Sequence, residues 1–167
     1  EMCIRDRDRL VVQDQEAPYI IETGTLNHAS CAGVSAAIDF ISSLGEGESY
    51  REKLENAYLH ISDHEFNLAK HLYESLDGFE KTNVIGPDFS TRDRTPTVSF
   101  VHSEYSPQEV CASLAKHNIC AWDGHFYALK AIQQLGLESS GGVTRLGISL
   151  YNTKDEIDRV IEAIKGI

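Results

Sequence analysis

The sequence predicts an α/β protein with helices packed on one face of a mixed or antiparallel sheet. Two patterns carry that expectation. Four short runs, at 82–85, 95–101, 119–122 and 143–150, have strand character, the last alternating Val143, Arg145 and Gly147 with Thr144, Leu146, Ile148 and Leu150. Three capping boxes, Ser49 to Glu52, Ser106 to Glu109 and Thr153 to Glu156, each announce a helix-period segment. From residue 82 the order is strand, strand, helix, strand, helix, strand, helix. A chain of 167 residues can bury about 70% of its unfolded surface, so a true core is available to this architecture.

Taken in order, residues 1–7 are set aside. Met2-Cys3-Ile4-Arg5-Asp6 can be written as the codons ATG TGT ATA AGA GAC, which looks like a sequencing-library transposon end read through as protein. Residues 8–19 are polar and irregular, with Pro18 ending any helix, and Tyr19-Ile20-Ile21 is expected to be extended. Glu22-Thr23-Gly24-Thr25 then leads into a helix over 29–44 with apolar positions Ala32, Ala36, Ile38, Phe40 and Ile41. A Gly-Thr pair at a helix start can hold an anion through free N–H groups and the helix dipole. It equally suits an ordinary polar loop with Asn27 as N-cap.

Gly45 and Gly47 break the chain before the first capping box opens a long helix ended by Gly78. Its expected buried stripe is Leu54, Tyr58, Ile61, Leu68, Leu72 and Leu76. His60, His64 and His71 share one edge of that helix. Histidines four apart can bind zinc, but no third-ligand pattern accompanies them, so a partly exposed structural face is expected and no metal site is assigned. Beyond it come a strand closed by Gly86-Pro87, a charged loop over 88–94 and a second strand. A helix over 107–116 follows, with Pro107 in its first turn, burying Val110, Cys111 and Leu114; Asn118 ends it in a left-handed turn. A third strand over 119–122, a short helix over 126–134, the fourth strand and a final helix with Ile157, Val160, Ile161 and Ile164 complete the reading.

With 15 basic and 26 acidic residues the net charge is −11, which argues against nucleic acid or an anionic membrane as partner. No apolar run approaches the ~18 residues a membrane span needs. The four cysteines, Cys3, Cys31, Cys111 and Cys120, show no CxxC spacing, which favours a reduced, cytoplasmic chain over a disulfide scaffold.

Two stretches carry the chemistry. Arg145 is a strong cation within an otherwise uncharged strand, and its planar fork matches a carboxylate, either of this chain or of a ligand. The Trp122-Asp-Gly-His-Phe-Tyr turn offers aromatic groups around a glycine bend, so His125 and Tyr127 either pack at a strand-to-helix corner or line a pocket.

Gly124-His125, the Gly-Gly-Val-Thr-Arg-Leu-Gly-Ile-Ser run at 141–149, and Tyr151-Asn152-Thr153 before Asp155-Glu156-Ile157-Asp158 resemble the C-terminal end of the class V aminotransferase and cysteine desulfurase family, pyridoxal-phosphate (PLP) enzymes of fold type I, and upstream Glu22-Thr23-Gly24-Thr25-Leu26-Asn27 resembles that family's Gly-Thr segment. The resemblance runs from about Ala17 to the end. It implies that residues 8–47 are the tail of a large PLP domain, 48–77 a bridging helix and 78–167 a small C-terminal α/β domain. It further implies that Arg145 binds the α-carboxylate of an amino-acid substrate, with His125 and Tyr127 beside it. Gly24 and Thr25 would reach the PLP phosphate of a neighbouring subunit, making a homodimer with shared sites. The family's cofactor lysine lies upstream of the matched region, and no lysine here stands in its Ser/Asp-x-His-Lys context, so no catalytic residue is assigned and the chain alone is expected to be inactive. On this resemblance, Tyr127 matches the position where desulfurases place their attacking cysteine. A phenol, with a pKa near 10, cannot replace a thiolate as sulfur acceptor. The alternative expectation is a free-standing α/β regulatory module that binds a small acid through Arg145 and the Gly124-His125 loop without catalysis.

Overall fold

The computed structural model describes residue 8 and residues 10–22, 24–92 and 94–167. The expected read-through at 1–7 and Thr23 lie outside the described residues. The chain divides into two compact units, the first ending at Ala57 and the second spanning Tyr58–Ile167.

In the first unit, Tyr19-Ile20-Ile21 forms turns rather than the expected extended run. The carbonyl of Pro18 accepts from the N–H groups of Ile21 and Glu22, and that of Glu16 from Ile20, so the proline opens a tight bend. Helix α1 (His28–Ser42) starts where Asn27 Oδ1 accepts from the Ser30 N–H at 3.0 Å. Its Val34, Ile38 and Phe40 are exposed, and Ser42 is its buried residue. Gly45 is required by a close approach, since a Cβ there would lie 2.5 Å from the backbone nitrogen of Ala57. The 28-residue helix α2 (Tyr50–Asp77) opens as expected: Glu52 Oε2 accepts from the Ser49 N–H, and Ser49 Oγ from the Glu52 N–H.

The second unit is built on a four-stranded antiparallel sheet in the order β1-β2-β4-β3, from β1 (Thr82–Ile85), β2 (Thr97–His102), β3 (Trp122–Gly124) and β4 (Val143–Gly147). The register sets Val98 opposite Leu146, Ser99 opposite Arg145 and Trp122 opposite Arg145. Because side chains alternate along a strand, Val98, Phe100, Thr144 and Leu146 share one face. That face meets Leu68, Leu72 and Leu76 of α2, Val110 and Leu114 of α3 (Pro107–Lys116), and Ile157, Ile161 and Ile164 of α5 (Lys154–Lys165) in one core. The opposite face carries Ser99, Trp122 and Arg145. Helices therefore cover one side of the sheet, and Arg145 and Trp122 stand exposed on the other.

In the second unit and the long helix, further sequence expectations shift. Tyr58, assigned to the buried stripe of the long helix, is exposed, while Ala57 and Ala69 are fully buried, since small side chains allow the closest packing. The third strand lies at 122–124 rather than 119–122. The N–H of Ile119 bonds back to the Leu114 carbonyl after Asn118 turns at φ +57°, so the chain is tied to the end of α3 before it reaches β4. The helix expected from Phe126 begins only at Leu129, as α4 (Leu129–Gln134), because Phe126 and Tyr127 both adopt left-handed backbone. The fourth strand ends at Gly147 instead of Leu150, although the Ile148 N–H still bonds the Pro96 carbonyl.

The loop between β1 and β2 is pinned by arginines. Arg94 lies 3.8 Å from the Phe89 ring centroid, and its Nη2 donates to the Thr97 carbonyl at 2.9 Å; Arg92 sits over Phe66 and pairs with Asp63. Phe89, within a stretch that reads from sequence as a charged loop, is buried in the core. Of the helix-edge histidines, His64 Nε2 lies 2.8 Å from the Asn152 carbonyl and His71 Nε2 lies 2.6 Å from Asp158 Oδ1.

Candidate functional site

The candidate site is an open cleft of about 560 Å³ on the uncovered side of the sheet, lined by Trp122, Asp123, Gly124, His125, Phe126, Tyr127 and Arg145. It has a local cause. Edge strand β3 ends at Gly124, whose φ of +118° turns the chain sharply, and Phe126 and Tyr127 follow at φ +52° and +60°. Gly142, at φ +100°, packs directly on the Gly124 backbone, so no side chain at 142 would fit there. The turn is closed by two bonds: the Tyr127 N–H donates to His125 Nδ1 at 3.1 Å, and the Ala128 N–H to the His125 carbonyl at 2.7 Å. The first of these places the neutral imidazole's proton on Nε2.

Three residues expected from sequence thus share one cleft: Arg145, His125 and Tyr127. Tyr127 is fully exposed, and His125 and Tyr127 meet edge to face at 6.2 Å between centroids. Arg145 is exposed and, among the described residues, forms no ion pair. Its guanidinium carbon lies 3.8 Å from the centroid of the Phe126 ring. Asp123 pairs with Thr144 one step along the ladder from Arg145, so it alternates to the other side of the sheet. Phe126 and the exposed Trp122 were not assigned from sequence as site residues. The sequence signal for Trp122 is its place two residues before the glycine bend in the aromatic turn; Phe126 is hidden by its expected helical conformation.

Gly24 and Thr25 belong to the first unit, where they form exposed coil just before α1. Asn27 caps the Ser30 N–H, and the N–H groups of His28 and Ala29, in the first turn, precede the first intrahelical bond.

Cys111 is half-buried on α3. Burial, reinforced by the nearby Asp123 carboxylate, pushes its thiol up to about 11, so it carries little thiolate at neutral pH. Cys31 and Cys120 are exposed.

A family model described as Aminotransferase class-V matches residues 9–160. The chain belongs to this family. Among curated proteins, a cysteine desulfurase from Serratia proteamaculans (strain 568) is 28% identical over 152 residues, covering 91% of this chain and 33% of its own length. A probable cysteine desulfurase from Methanothermobacter thermautotrophicus is 29% identical over 168 residues, covering 96% of this chain and 36% of its own. Of solved structures, the apo cysteine desulfurase from Thermococcus onnurineus NA1 superimposes with a TM-score of 0.72 at 27% identity, over 90% of this chain and 34% of that one. The cysteine desulfurase CsdA (S-sulfonic acid) from Escherichia coli gives a TM-score of 0.70 at 22% identity, over 91% of this chain and 33% of that one, a likeness of fold. The chain thus spans about a third of the length of the relatives it matches.

Full-length class V enzymes of this kind use pyridoxal phosphate. By its chemistry alone Arg145 suits a carboxylate, and, separately in the first unit, the free N–H groups in the first turn of α1 suit an anion. No lysine lines the cleft among the described residues. Lys70, Lys81, Lys154 and Lys165 are instead held by Glu74, Glu104, Asp158 and Glu162.

Proposed function

We propose that this chain supplies the substrate-carboxylate side of the site in a pyridoxal-phosphate enzyme of fold type I that acts on an amino acid. In this reading residues 8–47 are the tail of the large domain, 48–77 a bridging helix and 78–167 the small domain. Arg145 binds the α-carboxylate, with His125 and Tyr127 beside it. Gly24 and Thr25 contact the cofactor phosphate of a second subunit in a homodimer, and the enzyme works in the cytoplasm. The cofactor would act as an electron sink for bond breaking at the substrate α-carbon. The chain's own contribution is to bind and orient, so the isolated chain is expected to be inactive.

The observation that carries the proposal is the state of Arg145. It opens onto a cleft, and among the described residues no carboxylate neutralises it. A guanidinium so placed has two parallel N–H donors free for an incoming carboxylate. Tyr127 keeps persulfide chemistry at that position out of the proposal, because a phenol does not take up the sulfur. In the full-length enzyme, Arg145→Lys should markedly raise the apparent KM for the amino-acid substrate, since an ammonium offers no bidentate fork; an unchanged KM removes the assignment. Mixing that enzyme with a panel of amino acids and following the cofactor's absorbance would name the substrate.

A further inference from the structure

We infer that Phe126 is a positioning residue for Arg145, its ring fixing the plane in which the guanidinium meets an acid; the inference rests on reading Arg145 as the acid-binding group. The first observation is the stack itself, with the Arg145 guanidinium carbon 3.8 Å from the ring centroid. The second is the backbone. Phe126 sits at φ +52° and is followed by Tyr127 at +60°, a pair of bulky residues in a conformation that glycine or asparagine adopts far more readily. A strained residue persists where its surroundings hold it, and such residues gather at ligand-binding turns. Here the holding bonds span Phe126 along the chain: His125 Nδ1 accepts from the Tyr127 N–H and the His125 carbonyl from the Ala128 N–H. The third is contrast within the turn: His125 and Tyr127 are exposed, while Phe126 is half-buried against the strand.

The physical consequence follows from the length of the arginine stem. An exposed arginine with no ion-pair partner spreads over many rotamers, and ordering it on binding costs entropy. A ring against one face of the guanidinium removes much of that freedom beforehand. It also leaves the edges, which carry the N–H donors, open to a carboxylate, because stacking uses the face and hydrogen bonding uses the plane.

The test uses the 167-residue chain and proton–nitrogen NMR of the arginine Nε–H groups, with sodium propionate as the acid probe. In the wild type, the Arg145 resonance should stand upfield from the ring current of Phe126 and move as propionate is added. Phe126→Leu should abolish the upfield displacement and raise the dissociation constant for propionate about two- to five-fold, the range expected of an exposed cation–π contact. Phe126→Asn, which suits the left-handed turn but carries no ring, should do the same, so a folding defect specific to leucine does not blur the outcome. Phe126→Tyr should restore both readouts. The inference is overturned if both ring-less variants keep the wild-type resonance and affinity while Arg145→Met loses the propionate response. A wild-type Arg145 resonance unmoved by propionate would instead overturn the acid-binding reading, and the positioning role with it.

Discussion

Gly142→Ala is the most informative single perturbation of the cleft, because its effect separates into two parts with different origins. Gly141 and Gly142 both have left-handed backbone, at φ +84° and +100°, so alanine at either position incurs a conformational cost of about 1–2 kcal/mol. Around Gly141 a Cβ would meet open space. At Gly142 it would lie 2.5 Å from the carbonyl carbon of Gly124 and 3.1 Å from its Cα, and closer still to its oxygen. A backbone carbonyl cannot rotate aside as a flexible side chain can, so edge strand β3 must be displaced, adding about 1–3 kcal/mol by analogy with overpacked cores. The difference between the two alanine variants therefore isolates the clash. Urea unfolding followed by far-ultraviolet circular dichroism gives the two midpoints, and fluorescence of Trp122, the chain's single tryptophan, reports on β3 itself. The expected result is a Gly142→Ala midpoint well below that of Gly141→Ala, with altered Trp122 emission in the folded baseline. Equal stabilities, within about 0.5 kcal/mol, would show that the turn does not rest on Gly142 and would refute the close approach argued above.

Other expectations follow from burial and titration. Leu72→Ala should cost about 2–5 kcal/mol in the same urea assay, whereas Tyr58→Ala, on the exposed side of the same helix, should cost less than about 1 kcal/mol. Iodoacetamide at about pH 8 should modify Cys31 and Cys120 and spare Cys111 until the chain unfolds, as mass spectrometry of the alkylated peptides would show; rapid labelling of Cys111 would contradict its raised thiol pKa. Burial, with Lys81 nearby, holds the His102 imidazole below its ordinary value, and its Nδ1 accepts from the Glu104 N–H. The unfolded chain then takes up that proton first, so the contribution of His102 is full above about pH 6.5 and falls away as the pH drops toward the folded value. Urea midpoints should decline through that window and decline less in His102→Gln; identical slopes would argue against it.

The sequence made plain those features that depend on neighbours along the chain. The capping boxes at Ser49, Ser106 and Thr153 form as expected, because their partners stand three residues away. Strand β1 falls at 82–85 and Asn118 turns left-handed, both signalled by adjacent residues. Features set by distant contacts were not legible. Periodicity placed Tyr58 inside the long helix, but which residues are covered depends on where the sheet and the last helix lie. Phe89 reads as part of a polar loop, and only the aromatic rings of α2 and the arginine above it explain its burial. In the cleft, Arg145, His125 and Tyr127 could be named from their residue types. The stacking of Phe126 on Arg145 could not, since it depends on two consecutive left-handed residues that a propensity argument assigns to a helix.

The seat of Arg94 gives the β1–β2 connection a particular insensitivity. Its guanidinium rests on an aromatic face and reaches the main-chain oxygens of Thr97 and Asp88. Neither a ring quadrupole nor a peptide carbonyl gains or loses a proton across the acid range, and contacts at this range are little weakened by dissolved electrolyte. As acid or brine loosens the chain's surface carboxylate pairs, this fastening should therefore be among the last to slacken.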